Sequence, residues 1–133
     1  MKGKPIILIV DNEEESLELF CKILKEEDYT VLTAGNGKKA LELVETEKPN
    51  LVIMNLNTSD MSEIKTLRRI KNIDENIEVL IITDYGTMKA ARAAMELGAY
   101  DYVTKPFDND YIMALIKNVF SSVPGELLQL ELK

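Results

Sequence analysis

Residues 51–55 are Leu51-Val52-Ile53-Met54-Asn55, four apolar side chains in succession followed by a polar one. Unbroken apolar runs of this length are typical of strands that are covered on both faces, as in a parallel sheet. Four further runs share this character and occupy residues 6–10, 29–34, 79–83 and 100–103. The sequence therefore predicts a sheet of five buried, parallel strands.

The segments between these runs have the spacing of amphipathic helices. Each one carries apolar residues at three- and four-residue steps with charges elsewhere, as in Leu17, Phe20, Cys21 and Leu24, and Gly98 is placed to end the fourth helix. Strand and helix alternate with short connections, which favours right-handed crossovers. We expect a doubly wound α/β domain with helices on both faces of the sheet.

Composition limits the function classes. A chain of 133 residues with 46% hydrophobic and 29% charged residues is typical of one globular domain, and its net charge of −7 disfavours direct binding to nucleic acid. The absence of His excludes Ser-His and Cys-His catalysis, and Cys21 alone cannot form a disulfide framework or a thiolate zinc site. No apolar run approaches a membrane span, and residues 1–5 are too short and polar for a signal peptide, so a cytoplasmic protein is expected.

Polar residues follow the predicted strands. Asp11 follows the first strand, Asn55 follows the third, Thr83 ends the fourth, and Lys105 follows the fifth. The carboxyl ends of parallel strands meet at one edge of a sheet, where such folds bind ligands. Any one of these residues alone would be read as a cap, turn or solvated residue, but four together predict a site.

Four motifs at these strand ends resemble receiver domains of two-component response regulators over residues 4 to 122. They are Val10-Asp11-Asn12-Glu13, Met54-Asn55-Leu56-Asn57, Ile82-Thr83 and Asp101-Tyr102-Val103-Thr104-Lys105-Pro106-Phe107. The resemblance implies a flavodoxin-like fold with strand order 2-1-3-4-5. The helical pattern stops at Ser121-Ser122-Val123-Pro124-Gly125, so we expect a receiver-like domain over residues 1–122 and, over residues 123–133, either a tail or a linker to another domain.

The resemblance assigns roles by position. In this family an aspartate ending the third strand accepts a phosphoryl group from a histidine kinase, with Mg²⁺ held by that aspartate, an acid of the first turn and a backbone carbonyl two residues beyond. Carried over, the phosphoacceptor position is Asn55, and the metal positions are Asp11, Asn12, Asn55 and Asn57. Thr83 and Lys105 match the other catalytic positions, and Thr83 and Tyr102 match the switch pair.

The departures from the family pattern change the expected chemistry. The amide of Asn55 is neutral and its nitrogen lone pair is delocalised, so it is not expected to form an acyl phosphate. Asn12 removes a second carboxylate from a site whose hard cation prefers charged oxygen ligands. We therefore expect weak or absent Mg²⁺ binding, no other cofactor, and no enzymatic activity.

The resulting hypothesis is a receiver-like signalling module that acts by protein–protein interaction. Its expected partners are a histidine kinase, an output domain or another regulator, with no nucleic acid or membrane contact. The expected surface is the face made by the fourth helix, the fifth strand and the fifth helix, which also suits a homodimer. It comprises Lys89, Arg92, Tyr102, Tyr111, Met113 and Lys117.

Three alternatives remain open from the sequence. Phosphate could be accepted elsewhere, at Thr58, Ser59 or Thr83, or at residue 55 after the change Asn55→Asp. The vacated pocket could instead sense a small ligand. A flavodoxin-like redox protein ranks last, because the first loop is acidic and a flavin needs a phosphate-cradling loop with flanking aromatics.

Overall fold

The computed structural model describes residues 4–56, 62–83 and 88–120, which form five strands and five helices in alternation. The strands are β1 (Ile6–Val10), β2 (Thr30–Ala34), β3 (Leu51–Asn55), β4 (Glu78–Thr83) and β5 (Asp101–Thr104). The helices are α1 (Glu14–Lys25), α2 (Gly37–Glu47), α3 (Ser62–Ile73), α4 (Met88–Glu96) and α5 (Asn109–Val119). None of the described helices has the length and apolar character needed to cross a membrane.

The strands form one parallel sheet in the order β2-β1-β3-β4-β5. This arrangement confirms the predicted fold class and strand order. The register places Val10 beside Met54, Asn55 beside Ile82, and Thr83 beside Thr104. The carboxyl ends of neighbouring strands therefore reach the same edge of the sheet.

Two hydrophobic cores lie on opposite faces of the sheet. Helices α2, α3 and α4 cover one face, and α1 and α5 cover the other. Within β3, Val52 and Met54 join the first core while Leu51 and Ile53 join the second, and all four are buried. This explains why β3 has an unbroken apolar sequence, since a strand packed on both faces has no exposed side.

Local sequence sets the helix ends. Asn36 caps α2 because its Oδ1 accepts from the backbone N–H of Lys39 at 2.9 Å. After α4, Gly98 adopts a φ of 101°, a backbone conformation that residues with a Cβ rarely adopt. Ala99 N–H then donates to Ala94 O at 3.0 Å, which closes the helix and confirms the predicted end.

Two contacts hold α3 against its surroundings. At Gly37 the backbone of α2 passes so close to Thr66 of α3 that a Cβ on this glycine would collide with the Thr66 hydroxyl oxygen. At the other end of α3, Lys71 Nζ donates to Ile77 O at 2.7 Å and lies 3.6 Å from Glu78 Oε1. The lysine thus ties the end of α3 to the start of β4.

Candidate functional site

The candidate site begins where β1 and β3 end side by side. Asp11 extends the β1 ladder by one residue, since its N–H donates to Ala34 O at 3.0 Å. Asn55 is the last residue of β3, and Val10 and Met54 are partners in the register immediately before the two polar residues. Asp11 is 2% exposed and Asn55 is 5% exposed, so both polar side chains are buried.

The side chains of Asp11 and Asn55 are joined directly. Asn55 Nδ2 donates to Asp11 Oδ2 at 2.6 Å, and Asp11 Oδ1 accepts from the backbone N–H of Glu13 at 2.9 Å. The amide must present its nitrogen to the carboxylate, because the opposite orientation would place two acceptors against each other. A charge-assisted hydrogen bond therefore links the ends of the two strands.

The other end of the amide has a different environment. Asn55 Oδ1 is buried and has no hydrogen-bond partner among the described residues. Buried carbonyl oxygens usually accept at least one hydrogen bond. The site therefore offers a neutral acceptor to any group that can donate to it.

Thr83 and Lys105 complete the edge from the other side. Thr83 is fully buried at the end of β4, and its carbonyl accepts from the N–H of Lys105 at 2.8 Å. Leu56 N–H donates to Ile82 O at 2.8 Å, which fixes the end of β3 against β4. The structure thus brings the four predicted strand ends together, Asp11 and Asn55 through their side chains and Thr83 and Lys105 through the backbone.

The donor atoms do not suit a tightly bound Mg²⁺. Of the predicted metal positions, Asn57 lies outside the described residues, as do Thr58 and Ser59, and Asn12 is exposed. Within the described ranges no three Asp, Glu, His or Cys side chains are grouped so that they could hold a metal ion. Asp11 supplies a carboxylate, but both of its oxygens accept hydrogen bonds, and Asn55 supplies only an amide. Mg²⁺ is usually held through one or two carboxylates in near-ideal octahedral geometry, so these residues do not fit it.

The predicted switch aromatic, Tyr102, lies on β5 at the edge of the sheet. Tyr102 is half-buried and packs against the core on the α2, α3 and α4 side, which includes Ala90 and Ala94. It therefore packs on the same face of the sheet as α4. Its role as a switch residue remains a prediction.

The other predicted interface residues differ in their surroundings. Lys89, Arg92 and Tyr111 are exposed on α4 and α5. Lys117 is also exposed, but its Nζ lies 3.8 Å from Glu27 Oε2, so it reaches toward the end of α1. Met113 is half-buried against the α1 and α5 core. The exposed residues of the predicted set therefore lie on α4 and α5, with Lys117 directed toward the end of α1.

A groove beside β5 was not predicted from the sequence. It has a volume of about 470 Å³ and lies between β5 and the start of α5. Asp101 and Asp108 contribute to its wall, and neither was singled out as a site residue from the sequence. The available signal was the three aspartates and three aromatic residues within positions 101–111.

Comparison with known proteins identifies one family. The model of the response regulator receiver domain matches residues 7–117. Sporulation initiation phosphotransferase F of Bacillus subtilis is 40% identical over 111 residues, which cover 84% of this chain and 90% of that protein. The transcriptional regulatory protein ZraR of Escherichia coli is 33% identical over 115 residues, which cover 86% of this chain but 26% of that protein.

A solved structure gives the same result. The receiver domain of NtrX from Brucella abortus superposes with a TM-score of 0.79 at 28% identity, covering 88% of this chain and 99% of that domain. The likeness therefore extends across nearly all of the described fold.

Proposed function

Because the chain belongs to the response regulator receiver domain family, we propose that it is a receiver that signals through protein contacts without phosphorylation of residue 55. The observation that carries the proposal is the bond from Asn55 Nδ2 to Asp11 Oδ2. An amide stands where the family has its phosphoacceptor, and its N–H is directed at the neighbouring carboxylate. Receiver domains are signalling modules, so the loss of the acceptor leaves the binding surfaces as the means of action.

The chemistry of the amide supports this proposal. A nucleophilic side chain needs an accessible lone pair and enough negative charge to attack phosphorus. The Asn55 nitrogen is a donor to Asp11, and its oxygen is neutral. The Asp11 carboxylate instead receives hydrogen bonds, from Asn55 Nδ2 and from the backbone N–H of Glu13.

Intact-mass spectrometry after incubation with acetyl phosphate and Mg²⁺ tests the first part of the proposal. The unmodified chain is expected to keep its mass, whereas the variant Asn12→Asp/Asn55→Asp is expected to gain one phosphoryl group. A phosphoryl group on the unmodified chain would contradict the proposal. Peptide mapping would then distinguish residue 55 from the alternative acceptors Thr58, Ser59 and Thr83.

The proposed contact surface is the α4, β5 and α5 face, and the proposed partners are a histidine kinase, an output domain or another regulator in the cytoplasm. Exposed Lys89 and Arg92 on α4 and Tyr111 on α5 support this assignment. Thr83 and Tyr102 would transmit partner binding, since a ligand shifts a conformational equilibrium only by binding one state more tightly.

A photo-crosslinking amino acid at position 92 tests the surface in living cells. It is expected to capture a two-component protein or a second copy of the chain, identified by mass spectrometry. The same amino acid at position 45, which is exposed on α2, serves as the control. Equal capture from both positions, or none from position 92, would contradict the proposed face.

One observation favours a second candidate function. Among the described residues Asn55 Oδ1 has no hydrogen-bond partner, and it could accept a hydrogen bond from a small ligand in the vacated pocket. A thermal-shift screen of small hydrogen-bond donors, repeated on Asn55→Ala, tests this candidate. A ligand that stabilises both proteins equally would exclude residue 55 from its site.

A further inference from the structure

The groove between β5 and α5 has a distinct chemical character. Its volume of about 470 Å³ is sufficient for one long side chain of another protein together with the adjacent backbone of that protein. It is lined by Asp101, Tyr102, Val103, Thr104, Pro106, Phe107, Asp108 and Tyr111. This set contains two carboxylates and three aromatic rings, and it contains no cationic side chain.

The two carboxylates are held in place by local bonds. Asp101 Oδ1 accepts from the N–H of Tyr102 at 2.8 Å, and Asp108 Oδ1 accepts from the N–H of Asp110 at 2.9 Å. Each bond uses one oxygen of the side chain and fixes its direction. The second oxygen of each carboxylate can therefore accept from a partner, with little rotational freedom left to lose.

The aromatic residues are also positioned before any partner binds. Phe107 packs against Phe20 of α1, with ring centroids 6.0 Å apart. Tyr102 is half-buried against the other core, while Tyr111 is 52% exposed. The groove lining thus includes one ring anchored in the core, Phe107, and one exposed ring, Tyr111.

We propose that this groove binds an arginine side chain of a partner protein. A guanidinium can stack on an aromatic ring and donate two hydrogen bonds to a carboxylate, and its alkyl stem can lie along apolar surface. The inference rests on the proposed function, because it names the chemistry of the partner at the same face. Arginine fits better than lysine, since a compact ammonium neither stacks in a planar fashion nor bridges two acceptors as a fork.

A nuclear magnetic resonance titration with the peptide acetyl-Gly-Arg-Gly-amide tests the groove. Backbone amide shifts are expected at Tyr102, Thr104, Phe107 and Tyr111. The same peptide with citrulline is isosteric and neutral, and it is expected to bind roughly tenfold more weakly or not at all. The lysine peptide is expected to bind more weakly than the arginine peptide.

Variant proteins make the test specific. Asp101→Asn/Asp108→Asn removes both charges but keeps an Oδ1 acceptor at each position, so the local bonds and the α5 cap are retained. It is expected to lose roughly tenfold in affinity for the arginine peptide. The control Asp74→Asn/Asp110→Asn removes the same charge outside the groove lining and is expected to bind normally.

Equal shifts with citrulline, equal affinity for the lysine peptide, or unchanged affinity in Asp101→Asn/Asp108→Asn would each overturn the inference. The crosslinking experiment at position 92 separates this inference from the proposed function. Capture of a partner without a response to the arginine peptide would contradict arginine binding in the groove and leave the proposed function supported. A specific response to the peptide without capture would support the groove and contradict the proposed function.

Discussion

Asn55 Nδ2 and Asp11 Oδ2 lie 2.6 Å apart, buried where β3 and β1 end. At this distance a second carboxylate in place of the amide would require a proton or a cation between the two oxygens. The amide instead supplies the donor itself. The ends of β3 and β1 can therefore meet without a bridging proton or metal ion.

Restoring the family's acids should make the fold depend on metal. We expect Asn12→Asp/Asn55→Asp to lower the free energy of unfolding without Mg²⁺ by about 2–4 kcal/mol, because two close carboxylates repel. Added Mg²⁺ should recover the loss. Thermal unfolding with and without Mg²⁺ measures both effects.

The matched control for this prediction is Asn50→Asp. Asn50 lies just before the opposite end of β3, where its Oδ1 accepts from the N–H of Ile6 at 2.8 Å, and Asp can keep that bond. Its melting temperature should not respond to Mg²⁺. An unchanged metal-free midpoint in Asn12→Asp/Asn55→Asp would contradict the electrostatic argument.

The close approach of α2 and α3 predicts a cost for a single methyl group. Gly37→Ala should lower the free energy of unfolding by about 1–3 kcal/mol, because the new Cβ meets the hydroxyl of buried, β-branched Thr66. Urea unfolding measures the change. Gly35→Ala is the control, since a Cβ there meets nothing within 4 Å.

A rescue experiment identifies the colliding atom. If Thr66 causes the loss, Gly37→Ala/Thr66→Ala should lose less stability than the sum of the two single variants. Strictly additive losses would show that the cost at Gly37 arises elsewhere.

The lysine at the end of α3 should be structural. Lys71→Met keeps the apolar stem but removes the donor to Ile77 O, so we expect a loss of about 1–3 kcal/mol in urea unfolding. Lys65→Met, at an exposed position of the same helix, should change stability little. If both substitutions lower the free energy of unfolding equally, the loss comes from removing a positive charge and not from the bond to Ile77 O.

Stability should fall under alkaline conditions. Burial raises the pKa of Cys21 above 9.0 and the pKa values of Tyr29 and Tyr100 above 10.0, the ordinary values. The unfolded chain therefore loses these protons first, so the contribution is complete below pH 9.0 and is lost as pH rises through the raised values. Urea midpoints measured from about pH 7 to 11 should be level at first and then decline.

A triple variant checks the origin of that decline. Cys21→Ser/Tyr29→Phe/Tyr100→Phe lacks the three groups, so its midpoint should decline less steeply above pH 9.0. An identical slope in the parent and the triple variant would assign the alkaline loss to other groups.

The sequence was sufficient for the fold because burial on both faces leaves a strong signal in each strand. It was also sufficient to place Asp11 and Asn55 at one edge, since the carboxyl ends of parallel strands meet there. The observed bounds differ slightly, as β3 includes Asn55 and β5 begins at Asp101. Such shifts are expected, because backbone pairing continues into polar residues that a hydrophobic pattern does not mark.

Other features could not be read from the pattern. The direction of the Asn55 amide depends on its neighbour across the sheet, and the β5 groove depends on Phe107 being anchored by Phe20, far away in the chain. Lys71 would be taken for a solvated residue, because only the folded chain returns two carbonyls to its ammonium. These are tertiary relationships between single side chains, which local periodicity does not encode.

The amide at the end of β3 also has a consequence for timing in the cell. A signal stored as a labile acyl phosphate decays at the rate of its hydrolysis. A chain that carries no acyl phosphate has no such intrinsic decay rate. If the protein acts as proposed, the strength and duration of its signal are set by its concentration relative to that of its partner. That concentration depends on the rates of synthesis and degradation.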